Sequence, residues 1–347
     1  LNMLSVKACG MVTAVGFNAS SSLAALRAGI RNVKETNLWD AESGEYLAAG
    51  RVLLPHWWVG VGKLAELLAP AIYECMVAAK PIQAKEIPVL LGVSAPDRPY
   101  RFDSLDEIII GEIEHQLGFQ LHSASHVIPR DHVSVVIAIR EAQELISNGQ
   151  VPCCIVAAVD SLVQQDLVEY YLDKRRVLTS INSNGFSPGE AGSAVLLASA
   201  GSSTSGELEI LGTGLEREES TIESEDPLRG NGLTKSIGEA LEKAGLSIQE
   251  MHYRIADLNG EHYKFKEMIF AMMRYEREPR PKLFDLWHPI EYIGEVGAAI
   301  GPLVLGLAFH AGQKEYCVGP TVLCTFGNDN GERAAVVANF RTNEGMR

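Results

Sequence analysis

The chain has 347 residues, of which 46% are hydrophobic, 7% aromatic and 21% charged. That composition excludes a disordered polymer and allows two ordinary domains or one large α/β unit. A formal net charge of −14 excludes a general nucleic-acid binder, which carries a basic stripe or patch.

Residues 6–15 read as a strand ending in Gly16-Phe17-Asn18, and 20–28 as a helix with serines at its start. Within 62–80, Leu64, Leu67, Leu68, Ile72, Cys75 and Met76 share one face at helical spacing. The run 88–93 is apolar, β-branched and bounded by turn formers, hence a buried strand. Periodicity predicts a helix over 103–117. From residue 127 a short strand leads through a turn at His132 into a helix ended by Asn148-Gly149, and 153–159 is a further apolar strand. Small and polar residues at 198–206 mark a boundary between two expected halves, 1–203 and 204–347. The order then resumes with a strand at 208–211, a helix at 233–244 closed by Gly245, a strand at 254–258 and a helix at 264–274. A helix at 301–311 and strands at 321–326 and 334–339 complete it. Strands alternating with helices imply a largely parallel sheet covered on both faces.

The six cysteines, Cys9, Cys75, Cys153, Cys154, Cys317 and Cys324, sit mostly in apolar runs and form no C-x-x-C pair. Buried reduced thiols are the expectation. His115, His122 and His126 are the one histidine group that suggests a metal, but the strand reading from residue 127 breaks helical spacing, so no metal or cofactor is expected. No apolar run reaches membrane-spanning length and no charged-then-apolar leader opens the chain, so a cytoplasmic protein is expected, with Met3 as its initiator.

Three glycine-rich blocks carry more specific information. They are Gly185-Phe186-Ser187-Pro188-Gly189-Glu190-Ala191-Gly192, Gly297-Ala298-Ala299-Ile300-Gly301 and Phe326-Gly327-Asn328-Asp329-Asn330-Gly331. The chain resembles, through these blocks, the β-ketoacyl-acyl-carrier-protein synthases of the thiolase fold. Ala138, Ala142, Ile146 and Gly149 match the spacing of that family's helix after its nucleophile. The resemblance implies a five-layer α-β-α-β-α fold made of two similar halves.

In that family a cysteine at a strand-to-helix elbow attacks an acyl thioester, and two histidines stabilise the thioester oxygen. Counted back from Gly149, the cysteine's place falls on His132, with Asp131 or Ser134 as alternatives if the count slips. The first histidine's place falls on Asn259, in Asp257-Leu258-Asn259-Gly260-Glu261-His262, and the second's on Gly294. The family's lysine five residues earlier falls on Pro289. Glu261, Glu295, Phe326, Asn328 and Asn330 would line a remodelled polar site near the same mouth, or sit in solvated loops.

With cysteine, histidines and lysine all replaced, the leading expectation is a condensation-incompetent subunit or adaptor for a protein partner. Chain-length-factor subunits, which lack the cysteine and work beside an active synthase, are the precedent. Two alternatives stand beside it: an active 3-oxoacyl synthase or acyltransferase using His132 or Cys324, and a module that binds an acyl chain without chemistry. The resemblance also implies a homodimer or a heterodimer with a related synthase. Acidic acyl carrier protein would dock on basic residues, for which Lys174, Arg175, Arg176, Arg274, Arg277, Arg280 and Lys282 are candidates.

Overall fold

The computed structural model describes residues 3–56, 58–201, 206–280 and 282–342, and the expected boundary at 203/204 lies outside them. The first half begins with β1 (Leu4–Val12) and α1 (Ala19–Arg27), whose first turn is capped by the Asn18 side chain on the Ser21 N–H at 2.8 Å. A hairpin of β2 (Lys34–Asp40) and β3 (Glu45–Ala49) stands apart from the main sheet. Then come α2 (Val61–Ala78), β4 (Val89–Gly92), α3 (Leu105–Leu117) and β5 (His126–Ile128). The half closes with α4 (Ser134–Ser147), β6 (Cys153–Ser161), α5 (Gln165–Asp173) and β7 (Glu190–Ser199).

The second half runs through β8 (Glu207–Arg217), α6 (Asn231–Ala244), β9 (Tyr253–Ala256), α7 (His262–Tyr275) and β10 (Asp285–Trp287). It ends with α8 (Ile290–Ile293), α9 (Ile300–Gln313), β11 (Thr321–Gly327) and β12 (Glu332–Arg341). The main sheet has the order β10-β9-β11-β12-β8-β1-β7-β6-β4-β5. Read outward from its centre, each side visits the first, fifth, fourth, second and third sheet strand of its half. Both halves thus repeat one topology, as the resemblance implied. They meet where β1 pairs with β8 over only three residues, Leu4 to Val6.

The sheet is mixed rather than largely parallel. Only the outer pairs, β4 with β5 and β6 and β9 with β10 and β11, are parallel. Each half's last strand runs antiparallel to both neighbours. In the second half the reason is local: the turn Asn328 to Gly331 folds β12 straight back onto β11.

Side-chain alternation sets the layers. On β6, Cys154 and Val156 face the central core, while Cys153, Ile155 and Ala157 face α2 and α3 on the outside. Such two-faced burial explains the unbroken apolar run in sequence. On the other side Leu323, Ala335 and Val337 pack outward against α6 and α7. Between the sheet's halves lie α4 and α9, and α9 is buried from Ile300 to Gly312 except at His310. A helix apolar all round is stable only where nothing but protein surrounds it. The result is the α-β-α-β-α arrangement, and the N-terminal ends of α4 and α9 meet at its centre.

Candidate functional site

The elbow before α4 is a tight device. Asp131 takes a left-handed φ of 49° and begins a 3-10 turn through Val133. Ser134 fixes that turn: its hydroxyl donates to the Ile128 carbonyl at 2.9 Å and accepts from the Arg130 N–H at 3.2 Å. Both roles are structural, and Ser134 is fully buried without a base among its hydrogen-bond partners.

His132 projects from this elbow towards the loop before α9. Its Nε2–H donates to Glu295 Oε1 at 2.9 Å. Glu295 Oε1 also accepts from the Gly297 N–H at 3.0 Å, and Oε2 accepts from Asn259 Nδ2 at 2.8 Å. Burial opposes the charge on Glu295, but His132, Lys264 and Asn259 outweigh it and hold the carboxyl well below the usual carboxylate range. Burial likewise opposes protonation of His132, and the facing Glu295 outweighs it, so the imidazole's pKa is raised. The other ring nitrogen, Nδ1, is buried and has no hydrogen-bond partner among the described residues.

Gly294 supplies no side chain at the position expected for the second histidine; the group that meets His132 comes from Glu295, one residue later. Gly294 has a φ of 82°, and a Cβ there would sit 2.5 Å from the Pro188 carbonyl. The Gly185–Gly192 block is what it packs against: Glu295 N–H donates to the Ser187 carbonyl at 2.8 Å. Glu190 in that block is buried and bonded to Lys63, Ser161 and the Val52 N–H. These family-like residues therefore build the wall that presents Glu295.

Two groups that the sequence reading did not single out complete the site. Lys264, from α7, bonds Asp257 Oδ2 at 2.7 Å and the Gly327 carbonyl at 3.2 Å. Burial opposes its charge, and Asp257 and Glu295 outweigh that, so its pKa is raised. Arg98 donates to Asp131 at 2.6 Å and to Asp160 at 2.5 Å. For Asp131 burial prevails over Arg98, and its carboxyl lies above the ordinary value. Neither Lys264 nor Arg98 belongs to a glycine-rich block, and both lie in charged stretches, Asp97-Arg98-Pro99-Tyr100-Arg101 and His262-Tyr263-Lys264-Phe265-Lys266-Glu267, so nothing local marked them.

A further ion cluster stands beside these. Arg176 bonds Glu261 at 2.7 and 3.1 Å and Asp329 at 2.7 and 3.0 Å, and lies over the Tyr171 ring at 5.0 Å. Arg176 is thus an internal residue and not a docking contact, while Lys174 and Arg175 pair with Glu223 and Glu42 at the surface.

Arg98, Asp131, His132, Tyr171, Arg176, Asn259, Lys264, Glu295 and Asp329 line, with Leu162 and Phe186, a partly open cavity of about 30 Å³. That is space for roughly two waters. Asn259 forms a wall shared with a wider outer cleft of about 280 Å³ that includes Gly260, Phe265 and His288. Phe326 is buried in β11, and Asn328 spends its amide on Glu332 and the Arg130 carbonyl, tying the closing turn to the elbow. Asn330 is bonded to Asp97 at the surface, away from His132. Of the residues expected to contact a substrate, Glu295 lines the cavity and Glu261 backs it through Arg176.

None of the six cysteines lines this cavity. Burial pushes Cys153 up to about 11 and Cys154 to about 12, and Cys324 higher still. His122 accepts from the Ala124 N–H, while His126 pairs with Glu141.

No family model matches the chain, and no curated protein matches it. Solved structures do. One is a ketosynthase in complex with its chain length factor from Xenorhabdus doucetiae, at 16% identity, 98% of each chain covered and a TM-score of 0.77. Another is a type II polyketide synthase acyl-carrier protein in complex with its ketosynthase, at 15% identity over 97% of this chain and 99% of that one, TM-score 0.79. The ketosynthase from module 6 of the bacillaene synthase from Bacillus subtilis 168 matches at 12% identity over 98% and 72%, TM-score 0.78. At these identities the likeness is one of fold, and the fold is the thiolase-like fold of ketosynthases.

Proposed function

We propose that this chain is a ketosynthase-like subunit that does not itself condense acyl thioesters and works against a related protein partner. One observation carries the reading. The elbow that would hold a nucleophile holds His132, locked against Glu295, in a cavity with room for about two waters. Thioester chemistry needs a thiolate or an activated hydroxyl with space for an acyl carbonyl beside it. Here the only hydroxyl on the elbow turn is spent on backbone groups, and every thiol lies elsewhere.

The neighbours support the partner half of the proposal. A ketosynthase complexed with a chain length factor is an assembly of this kind, and an acyl carrier protein binds a ketosynthase in another. A heterodimer with an active synthase, served by a carrier protein, is the assembly we assign to this chain. The acyl-binding module fares worse, because ion-paired side chains fill the space beside His132.

A second reading has one observation in its favour. His132 Nδ1 is buried and unpartnered, while Glu295 fixes the other nitrogen as donor; that is how a general base is presented. One experiment separates the two. Purified chain is incubated with malonyl- and acyl-loaded carrier protein, followed by mass spectrometry for decarboxylation, condensation or a covalent adduct. The proposal expects none of these from the chain alone and a stable complex with a co-expressed synthase. Turnover abolished by His132→Ala would overturn it in favour of the base.

A further inference from the structure

A second cleft, which shares no lining residue with the His132 cavity and adjoins the outer cleft at His288 and Glu291, opens between the end of α1, edge strand β10, α8 and the segment after α9. Its volume is about 250 Å³, just below the ~300–1,000 Å³ of drug-sized sites, so its occupant is small. One wall is aromatic. Trp287 and Tyr316 lie nearly parallel, at 19° with centroids 6.0 Å apart. Both are held from behind: Trp287 by the fully buried Tyr253 ring at 4.7 Å, and Tyr316 by His310 Nδ1 on its hydroxyl at 2.9 Å. Leu26 and Leu307 supply the apolar floor.

The charges at the mouth are unequal. Glu291 is engaged by His288 at 3.0 Å. Arg27, the last residue of α1, lies over the Tyr316 ring at 4.5 Å, and no carboxylate among the described residues pairs with it. A guanidinium held over a ring keeps its outer N–H groups free, in a fork that matches a carboxylate.

We propose that this cleft binds a small planar aromatic carboxylate, its ring against Trp287 and Tyr316 and its carboxylate on Arg27. The site is independent of the function proposed above. With a net charge of −14 on the chain, a simple anion has no general reason to accumulate here, so recognition needs ring and acid together.

The test is calorimetric titration of the full chain with 2-naphthoate, its neutral analogue 2-naphthalenemethanol, and acetate. The expected result is saturable binding of 2-naphthoate with Kd on the order of 0.1–1 mM, weaker binding of the alcohol, and none of acetate. Arg27→Gln, at an exposed helix end, should weaken 2-naphthoate about tenfold and leave the alcohol unchanged. Arg27→Lys should fall between, and His132→Ala should change nothing. Equal binding of acid and alcohol, unaltered 2-naphthoate binding in R27Q, or no saturable binding of either aromatic would overturn the proposal.

Discussion

Replacing Glu295 by glutamine tests how the centre of this molecule is held. In the native chain Glu295 accepts from His132, Asn259 and the Gly297 N–H, and its side chain is nearly inaccessible at 4%. Glutamine keeps the shape and one acceptor oxygen, so Asn259 and the Gly297 N–H cannot both be served along with His132. It also removes the countercharge of a buried imidazolium. Breaking one side of a buried pair costs about 3–5 kcal/mol, of which the charged hydrogen bond itself accounts for about 1.5–3 kcal/mol.

At ~2.1 cal/mol/K per residue, a chain of this length unfolds with an entropy of ~0.7 kcal/mol/K, so a loss of 3 kcal/mol lowers Tm by about 4 °C. The pH dependence has a definite sign. His132 has its folded pKa raised from the ordinary 6.5, so its contribution is complete below that value and is lost as pH rises through the raised one. Glu295 has its pKa lowered from 4.5, so its contribution is present above that value and is lost as pH falls towards the lowered one. The damage done by E295Q is therefore largest around pH 6 and shrinks in alkaline solution. The assay is urea unfolding of wild type, E295Q, H132N and the double variant across that range. A coupling energy below about 0.5 kcal/mol at pH 6, or one that does not decline with rising pH, would refute the reasoning.

Three further outcomes follow from the same interior. Gly297 has a φ of 52° and a Cβ there would come within 2.0 Å of Asp160 Oδ2, so Gly297→Ala should displace the Arg98–Asp160 pair and cost about 2–3 kcal/mol in urea unfolding. Arg176→Met leaves Glu261 buried and unpaired and should cost about 3–5 kcal/mol, whereas Asp329→Asn should cost about 1 kcal/mol or less because Asp329 is 44% exposed. Equal losses in those two variants would contradict the burial assigned to them. Iodoacetamide at mildly alkaline pH, read by mass spectrometry, should leave Cys75, Cys153, Cys154 and Cys324 unmodified in the native chain, because burial raises each thiol. Rapid labelling of any of the four would reopen a cysteine nucleophile.

The sequence made some structure legible because the physics there is local. The α2 stripe from Leu64 to Met76 and the unbroken apolar run of β6 declare their burial by periodicity and by the lack of it. The β2–β3 hairpin, α5 and β10 were not singled out. Their residues are mostly polar or only partly buried, and β10 is three residues long at a sheet edge. Alternation of strands and helices suggested parallel pairing, but pairing direction depends on where a strand returns to, which no local pattern records.

At the site the division is sharper. By itself the sequence determined that residues 129–136 hold no cysteine and that glycine-rich blocks are present, and the resemblance led to the expectation that His132 and Asn259 stand where other groups would. Only the tertiary structure decided that Glu295, not Gly294, faces His132, that Lys264 from α7 and Arg98 from the first half share the same cavity, and that Arg176 points inward. The physical reason is that these groups lie up to 197 residues apart, Arg98 to Glu295, and a charge's meaning depends on its burial and its countercharge. Both are set by the packing of the two halves against α4 and α9.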